Sequence, residues 1–353
     1  MTSKENAPSS LFDREVREQP ETLARLLERG RAAAEEAAEA IRARGPRFAM
    51  LAARGTSDNA ARYAQYLFGI HNRLAVAPSA PSLFTHYEVA PRLDSAVVVG
   101  ISQSGQSPDV VAVVREGRRQ GAVTVAITND AASPLARVAD FVLPLHAGRE
   151  CAVAATKTYT AQLMALAMLS AAIEDAPGRW GELARVPNDV ATALDLRLPD
   201  AKWVASLRDS SRLLVVGRGY NLSTAFEVAL KVKEICYVMA DPYSSADFLH
   251  GPVALLEEGL PVLVVAPTSR SFEDLDAVVR LTRERKAPLI AISDSPALLE
   301  SADVFLPLPA GVPEWLSPLV AVVPGQLFAR DLAVARGLAP DAPRGLAKVT
   351  LTL

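Results

Sequence analysis

Polar clusters stand where several apolar runs of this sequence stop, and their residue types suit anion binding or proton transfer. The clearest is Gly100-Ile-Ser-Gln-Ser-Gly-Gln-Ser107, followed by Pro108-Asp109 and an apolar helical pattern. Pro108 fits a first helical position, with Ser107 as its cap. The hydroxyls of Ser102, Ser104 and Ser107, the amides of Gln103 and Gln106 and the free N–H groups of a helix start would together cradle a phosphate. An ordinary capped helix explains Ser107 but leaves Ser102, Gln103 and Ser104 without a reason. A second cluster, Arg54-Gly-Thr-Ser-Asp-Asn59, again sets Gly and hydroxyls before a helix, and Arg218-Gly-Tyr-Asn221 matches it further on. Neither continues into Gly-Lys-Ser/Thr, and Leu222 takes the third glycine position of a dinucleotide fingerprint, so no nucleotide cofactor is expected. A third loop, Arg149-Glu-Cys-Ala-Val-Ala-Ala-Thr-Lys-Thr158, has small residues that suit close ligand approach or tight helix packing equally well. Cys151 within it reads as a small buried residue.

The segment from Phe226 to Tyr237 has helical periodicity and carries Glu227, Lys231 and Glu234 on one face. Taken alone, that trio reads as a solvated salt-bridge stripe. Downstream, Tyr243-Ser-Ser-Ala-Asp-Phe-Leu-His250-Gly-Pro252 holds one of four histidines, which could simply orient a turn. Lys348, in Pro343-Arg-Gly-Leu-Ala-Lys348, reads by default as a surface lysine.

The elements that must carry these groups alternate short apolar runs with helical patterns. Phe48–Ala53, Ala96–Ile101, Val123–Ile127 and Phe141–Leu145 are nearly continuous apolar runs, as in parallel strands buried on both faces. The pattern occurs twice. Arg47 to Gly55 resembles Arg212 to Gly219, Val123 to Asp130 resembles Pro288 to Ser295, and Ala139 to Leu145 nearly repeats as Ala302 to Leu308. The copies begin 165, 165 and 163 residues apart, so three segments keep one register. The predicted layout is a tail and helical segment over 1–45, with Met1–Ser10 loose and a helix over Phe12–Arg44. Then come an α/β unit over 46–185, a second over 200–340, and a C-terminal tail over 341–353. The join falls between Trp180 and Trp203. With 353 residues, half of them hydrophobic and 22% charged, the chain can bury two cores. A net charge of −3 argues against a nucleic-acid partner. No apolar run approaches the ~20 residues of a membrane helix, the best being Leu163–Leu169. No signal peptide is visible and the two cysteines, Cys151 and Cys236, have no metal-ligand spacing, so a cytoplasmic, metal-free and cofactor-free protein is expected.

With these motifs in order, the chain resembles the sugar isomerase (SIS) family, and most of all the isomerase half of glucosamine-6-phosphate synthase and its stand-alone relatives. The resemblance runs from Asp13-Arg-Glu-Val-Arg-Glu-Gln-Pro20 to Lys348. It rests on Gly55-Thr-Ser57, Ser102-Gln-Ser-Gly105, Val153-Ala-Ala-Thr-Lys157, Ala229-Leu-Lys-Val-Lys-Glu234, His250-Gly-Pro252 and Pro343 to Lys348. It implies an α/β fold of two tandem SIS domains, each a flavodoxin-like three-layer α/β/α unit with a mainly parallel sheet. It also implies that Ser102, Gln103, Ser104 and Ser107 bind the sugar phosphate, while Gly55, Thr56 and Ser57, with Val153 and Ala154, line the sugar pocket. Glu234 would move the C1–C2 proton, Lys231 would assist it, His250 would help open the ring, and Lys348 would sit by the sugar carbonyl. Active sites in such enzymes are shared across a homodimer, the histidine arriving from the partner. Glutamine is not the expected nitrogen source, because the sequence starts Met1-Thr-Ser-Lys-Glu where the synthase has a glutaminase domain. Leu83 and Leu249 stand where the synthase has charged residues, and Pro267-Thr-Ser-Arg270 replaces Ser-Gln-Ser-Gly in the second repeat. The expected reaction converts glucosamine-6-phosphate to fructose-6-phosphate and ammonia. The alternatives are another phosphosugar isomerase or a deglycase, acting on a galactosamine- or fructosamine-phosphate, or a non-catalytic phosphosugar sensor.

Overall fold

The computed structural model describes residues 10–196 and 201–348. The expected loose tail, apart from Ser10, therefore lies outside the described residues, as do 197–200 of the join and 349–353 of the C-terminal tail. Two helices come first, α1 (Leu11–Arg17) and α2 (Gln19–Arg44). The single predicted helix breaks at Glu18 because Pro20, in the first turn of α2, has no N–H for an earlier carbonyl and its ring would clash with the preceding turn.

The first sheet unit follows as β1 (Phe48–Ala52), α3 (Thr56–His71), β2 (Ala75–Pro78), α4 (Ser82–Thr85), β3 (Ala96–Ile101), α5 (Pro108–Arg119), β4 (Val123–Thr128), α6 (Pro134–Val138) and β5 (Phe141–Pro144). Helices α7 (Lys157–Glu174), α8 (Pro177–Asp195) and α9 (Ala201–Ser206) connect it to the second. That unit runs β6 (Arg212–Gly217), α10 (Leu222–Cys236), β7 (Met239–Ser244), α11 (Ser245–Leu249), β8 (Val262–Val265), α12 (Phe272–Glu284), β9 (Leu289–Ser293), α13 (Pro296–Ser301), β10 (Val304–Pro307) and α14 (Ser317–Ala335). Both sheets are parallel throughout, in the orders β2-β1-β3-β4-β5 and β7-β6-β8-β9-β10, so the two repeats share one topology. Strands β2 and β7 escape the sequence pattern. They are half-exposed edges, and β7 carries Asp241 and Pro242, which suit an edge and break an apolar run.

Side chains alternate strictly between the faces of each sheet. Ala49 and Leu51 of β1, Val97, Val99 and Ile101 of β3, and Val215 and Leu263 of β6 and β8 all join one core that runs through both units. Met50, Ala52 and Val98 face a separate outer core on the first sheet, while Leu214, Val216 and Val264 face one on the second. Between the sheets lie α3 and α7 from one side and α10 and α14 from the other, in mutual contact. This inner double layer brings α10 of the second unit against the loops of the first.

Helix α14 corrects the membrane reading. With its preceding turn, Glu314–Ala335 is long and apolar enough to span a bilayer by composition, yet 78% of its most apolar stretch is buried inside the protein. Arg330 and Asp331 interrupt the run in sequence, and Arg330 pairs with Asp13 of α1. A Cβ on Gly325 would stand 2.3 Å from Val228 Cγ2, so α14 reaches α10 only because this residue has no side chain. Gly325→Ala is expected to lower stability by about 1–3 kcal/mol through overpacking, read as a lower Tm in thermal unfolding; an unchanged Tm would show that the two helices part freely.

Candidate active site

In an open parallel sheet of order 2-1-3-4-5, the loops leaving β1 and β3 diverge to opposite faces and leave a crevice at the strands' carboxyl ends. A cavity of about 340 Å³ opens there, within the size range of small-ligand sites. Its walls come from Gly55, Thr56 and Ser57 at the start of α3, from Ser102, Gln103, Ser104 and Ser107 before α5, and from Val153 and Thr158 at the start of α7. Three helix N-termini thus converge on one space, a strongly anion-favouring arrangement. Glu234 and Lys348 close the opposite side.

The Ser102–Ser107 loop is held by its backbone. Asn129 N–H donates to Gln103 O (3.1 Å) and Leu135 N–H to Gly105 O (3.1 Å), while Gly105 N–H reaches Ser102 Oγ at 3.1 Å. Gly105 sits at φ +62°, and a Cβ there would stand 2.2 Å from Ser133 Oγ, so the turn requires glycine. Ser107 takes the predicted N-cap position, but its hydroxyl makes no cap bond and lies 3.4 Å from Ser102 Oγ. Pro108 has no N–H to offer, and the next amides of α5 are taken within the chain, Val110 N–H by Asp109 Oδ1 (2.8 Å) and Val111 N–H by Ser107 O (3.0 Å), so the side chains of the loop are what face the cavity. Arg54, missed by sequence reasoning, lines the cavity beside the loop and pairs with buried Asp109 at 2.6 Å. The second unit keeps an equivalent pair, Arg218–Asp274, at 3.5 Å. Its loop is different. There Thr268 N–H donates to Asp294 (2.6 Å) and Arg270 N–H to Glu314 (3.4 Å), so the chain's own carboxylates take amides that an anion would need.

The solvated-stripe reading of α10 is overturned. Glu227 and Lys231 have fully buried side chains, because α3 covers this face of the helix. Lys231 Nζ lies 3.3 Å from Glu227, 2.5 Å from Glu234 Oε2 and 3.1 Å from Thr56 Oγ1. Glu227 in turn accepts from Asn59 Nδ2 (2.8 Å) and Thr56 Oγ1 (3.1 Å). Burial pushes the Glu227 carboxyl from an ordinary 4.5 up to about 7, against the pull of Lys231 and Asn59. Burial alone would lower Lys231, but the two carboxylates outweigh it and keep the amine firmly protonated. Lys231 therefore does not line the cavity; it lies beneath it and aims Glu234.

Lys348 is not a free surface lysine: its ammonium donates to Glu150 Oε2 (2.6 Å) and Ala152 O (2.7 Å). Glu150 is fully buried; burial raises its carboxyl, but Lys348 and the amides of Thr156 and Thr158 outweigh that and hold it low. In the extended loop before α7, Val153 and Ala155 face the cavity and Ala154 between them turns to the core. Gln162, one further turn along α7, also lines the cavity and donates to Ser57 Oγ at 2.9 Å. Periodicity hid Glu150 and Gln162 because neither belongs to a local polar cluster. Cys151 is exposed, contrary to expectation, since the Glu15 carboxylate binds its backbone N–H and turns the side chain outward. His250, at the end of α11, is exposed and stands outside the cavity of its own chain.

The SIS domain model matches residues 46–172 and 206–336, and the chain belongs to the SIS domain family. It is 38% identical over 300 residues to the isomerizing glutamine–fructose-6-phosphate aminotransferase of Pyrococcus horikoshii, covering 83% of this chain and 50% of that protein. The chain thus spans about half the length of the curated relatives it matches. The structure of a candidate phosphosugar isomerase from Silicibacter pomeroyi superposes with a TM-score of 0.86 at 35% identity, over 94% of this chain and all of that one. The C-terminal domain of the glucosamine-fructose-6-phosphate aminotransferase from Francisella tularensis gives 0.83 at 27% identity, over 97% of this chain and all of that domain.

The raised Glu227 carboxyl carries a pH signature. The folded protein binds this proton more tightly than the unfolded chain, so the contribution of Glu227 to stability falls as pH rises from about 4.5 to about 7. Glu227→Gln removes that slope. Its Tm, measured relative to wild type, is expected to climb across this window and level off above it; a flat difference would place the proton elsewhere in the cluster.

Proposed function

We propose that this chain is a phosphosugar isomerase acting on an amino-sugar 6-phosphate, converting glucosamine-6-phosphate and water to fructose-6-phosphate and ammonia. The observation that carries the reading is the meeting of the Ser102–Ser107 anion loop with Glu234 in one cavity, Glu234 being tied to a buried ammonium. The phosphate docks on Ser102, Gln103, Ser104 and Ser107, and Arg54 adds positive charge nearby. In the opened sugar, the Glu234 carboxylate takes the proton from C2, and the electron pair moves onto the C1 oxygen. The Lys348 ammonium stabilises that developing charge. Glu234 then returns the proton to C1 as the nitrogen lone pair forms the C2=N bond, and one N–H proton passes to the C1 oxygen, leaving an imine at C2. Water adds there and ammonia departs, which balances the reaction. The same site run backwards consumes ammonia, so direction follows mass action. Buried Lys231 keeps Glu234 oriented throughout.

In this reading His250 opens the ring of the sugar held by a second copy. Two observations support that: its exposure outside its own cavity, and its exposed apolar neighbours Leu249 and Leu255. The shared-site homodimer is part of the proposal.

A panel of hexosamine and ketose 6-phosphates, read for ammonia and ketose, tests the reaction. Turnover of glucosamine-6-phosphate is expected; turnover of only galactosamine- or fructosamine-phosphate would move the substrate, and phosphosugar binding without turnover would make the chain a sensor. Ser104→Ala is expected to weaken every phosphosugar by about 1.5–3 kcal/mol and spare unphosphorylated sugars, whereas Glu234→Gln abolishes turnover with binding near normal. Sharing of the site is checked by mixing Glu234→Gln with His250→Ala subunits. A mixed dimer collects both defects in one site and leaves the other intact, so about a quarter of wild-type activity returns. No recovery, with exchange confirmed by mass, would assign His250 to its own chain.

A further inference from the structure

We propose that Glu150 is a positioning residue for Lys348: its buried carboxylate fixes this lysine over the cavity and joins it to the N-terminus of α7. The division of the carboxylate carries this. Oε1 accepts the backbone N–H groups of Thr156 and Thr158, both at 3.0 Å. Oε2 accepts the Thr158 hydroxyl at 2.7 Å and Lys348 Nζ at 2.6 Å. All four acceptor sites are filled, and none by solvent. The ammonium has three N–H bonds; Glu150 and the Ala152 carbonyl take two, and the third is left for an oxygen in the cavity that Lys348 lines.

The rest of the C-terminal segment is tied elsewhere. Asp341 accepts the Leu11 and Phe12 amides, each at 2.8 Å. Arg344 N–H donates to Tyr237 Oη at 2.8 Å, and its guanidinium lies 4.1 Å from that ring's centre. Beyond Arg344 the chain crosses to the first unit, where the Glu150–Lys348 pair receives it. The pair is mutually dependent, because a buried carboxylate stripped of its cation is strongly unfavourable. One acidic residue thus sets both the shape of the small-residue loop and the place of the lysine that faces the sugar carbonyl.

The kinetic part of this inference rests on the isomerase reading, and a second part does not. In a cycle of Glu150→Gln, Lys348→Met and the double variant, Glu150→Gln is expected to lower kcat at least about ten-fold, with KM changed less than about three-fold. In the Lys348→Met background the same change is expected to cost less than about two-fold. A full second loss there would show that Glu150 acts independently of Lys348, and would overturn the proposal. Hydrogen exchange of residues 338–348 needs no substrate. It is expected to accelerate in Glu150→Gln and Lys348→Met alike, while the first turn of α7, still capped by the glutamine oxygen, keeps its protection. Unchanged exchange of this segment in Glu150→Gln would also overturn it, whatever the enzyme turns over. Should Glu150→Gln fail to fold, Glu150→Asp, which keeps the charge and shortens its reach, replaces it in both measurements with the same expected signs.

Discussion

One ammonium shared by two carboxylates organises this protein. The Lys231 side chain is fully buried, and a buried ammonium is costly unless it is closely paired. Thr56 and Asn59 of α3 supply the remaining hydrogen bonds, so the charges of α10 are satisfied only when the first unit is in place. An apolar contact between the same helices could slide by a turn. This polar one has a single register, and Arg62 stacked on Phe226 and Tyr63 bonded to the Trp315 carbonyl reinforce it. The orientation of Glu234 toward the cavity follows directly. The aim of Glu234 and the docking of the two repeats are therefore one constraint.

The duplicated architecture shows how a site is lost without loss of fold. Both sheets have the same crevice, the same strand order and an Arg–Asp pair across it. What differs is who satisfies the loop amides. In the second unit Asp294 and Glu314 bind them internally, which also places negative charge where a phosphate would have to enter. In the first unit, loop carbonyls are anchored from below by Asn129 and Leu135, the loop's own hydroxyls take the Gly105 and Gln106 amides, and Ser102, Gln103, Ser104 and Ser107 line the cavity. Helix dipoles are present in both units, so the dipole alone does not make a phosphate site.

Much of this was legible in the residues. The strands buried on both faces announced themselves as apolar runs, and the repeat register fixed two similar units. That Ser102, Gln103 and Ser104 line a cavity was readable because they exceed what a capped helix needs. The edge strands were hidden, since a half-exposed strand with Asp241 and Pro242 carries no apolar signal. Glu227 and Lys231 looked like surface residues because spacing reports a shared face and says nothing of what covers it. Glu150 and Gln162 could not be found locally: their partners, Lys348 and Ser57, lie 198 and 105 residues away. The break at Glu18 was written in Pro20, a signal outvoted by the long helical pattern around it.

The tie between Asp341 and the first amides of α1, together with the Asp13–Arg330 pair, has a consequence for the order of assembly. On a ribosome the first sheet and α2 can pack as soon as α7 emerges, because their contacts are close in sequence. Helix α1 can reach the first unit through Glu15, which accepts the Cys151 and Ala152 amides, but its other partners are made some three hundred residues later. Its docking is completed only when the last helix and the segment after it leave the tunnel. The molecule then closes in one late event that seats α1 and brings Lys348 to the cavity together. A nascent or truncated chain would hold the Ser102–Ser107 loop in its final form while the side of the cavity that Glu234 and Lys348 close was still missing.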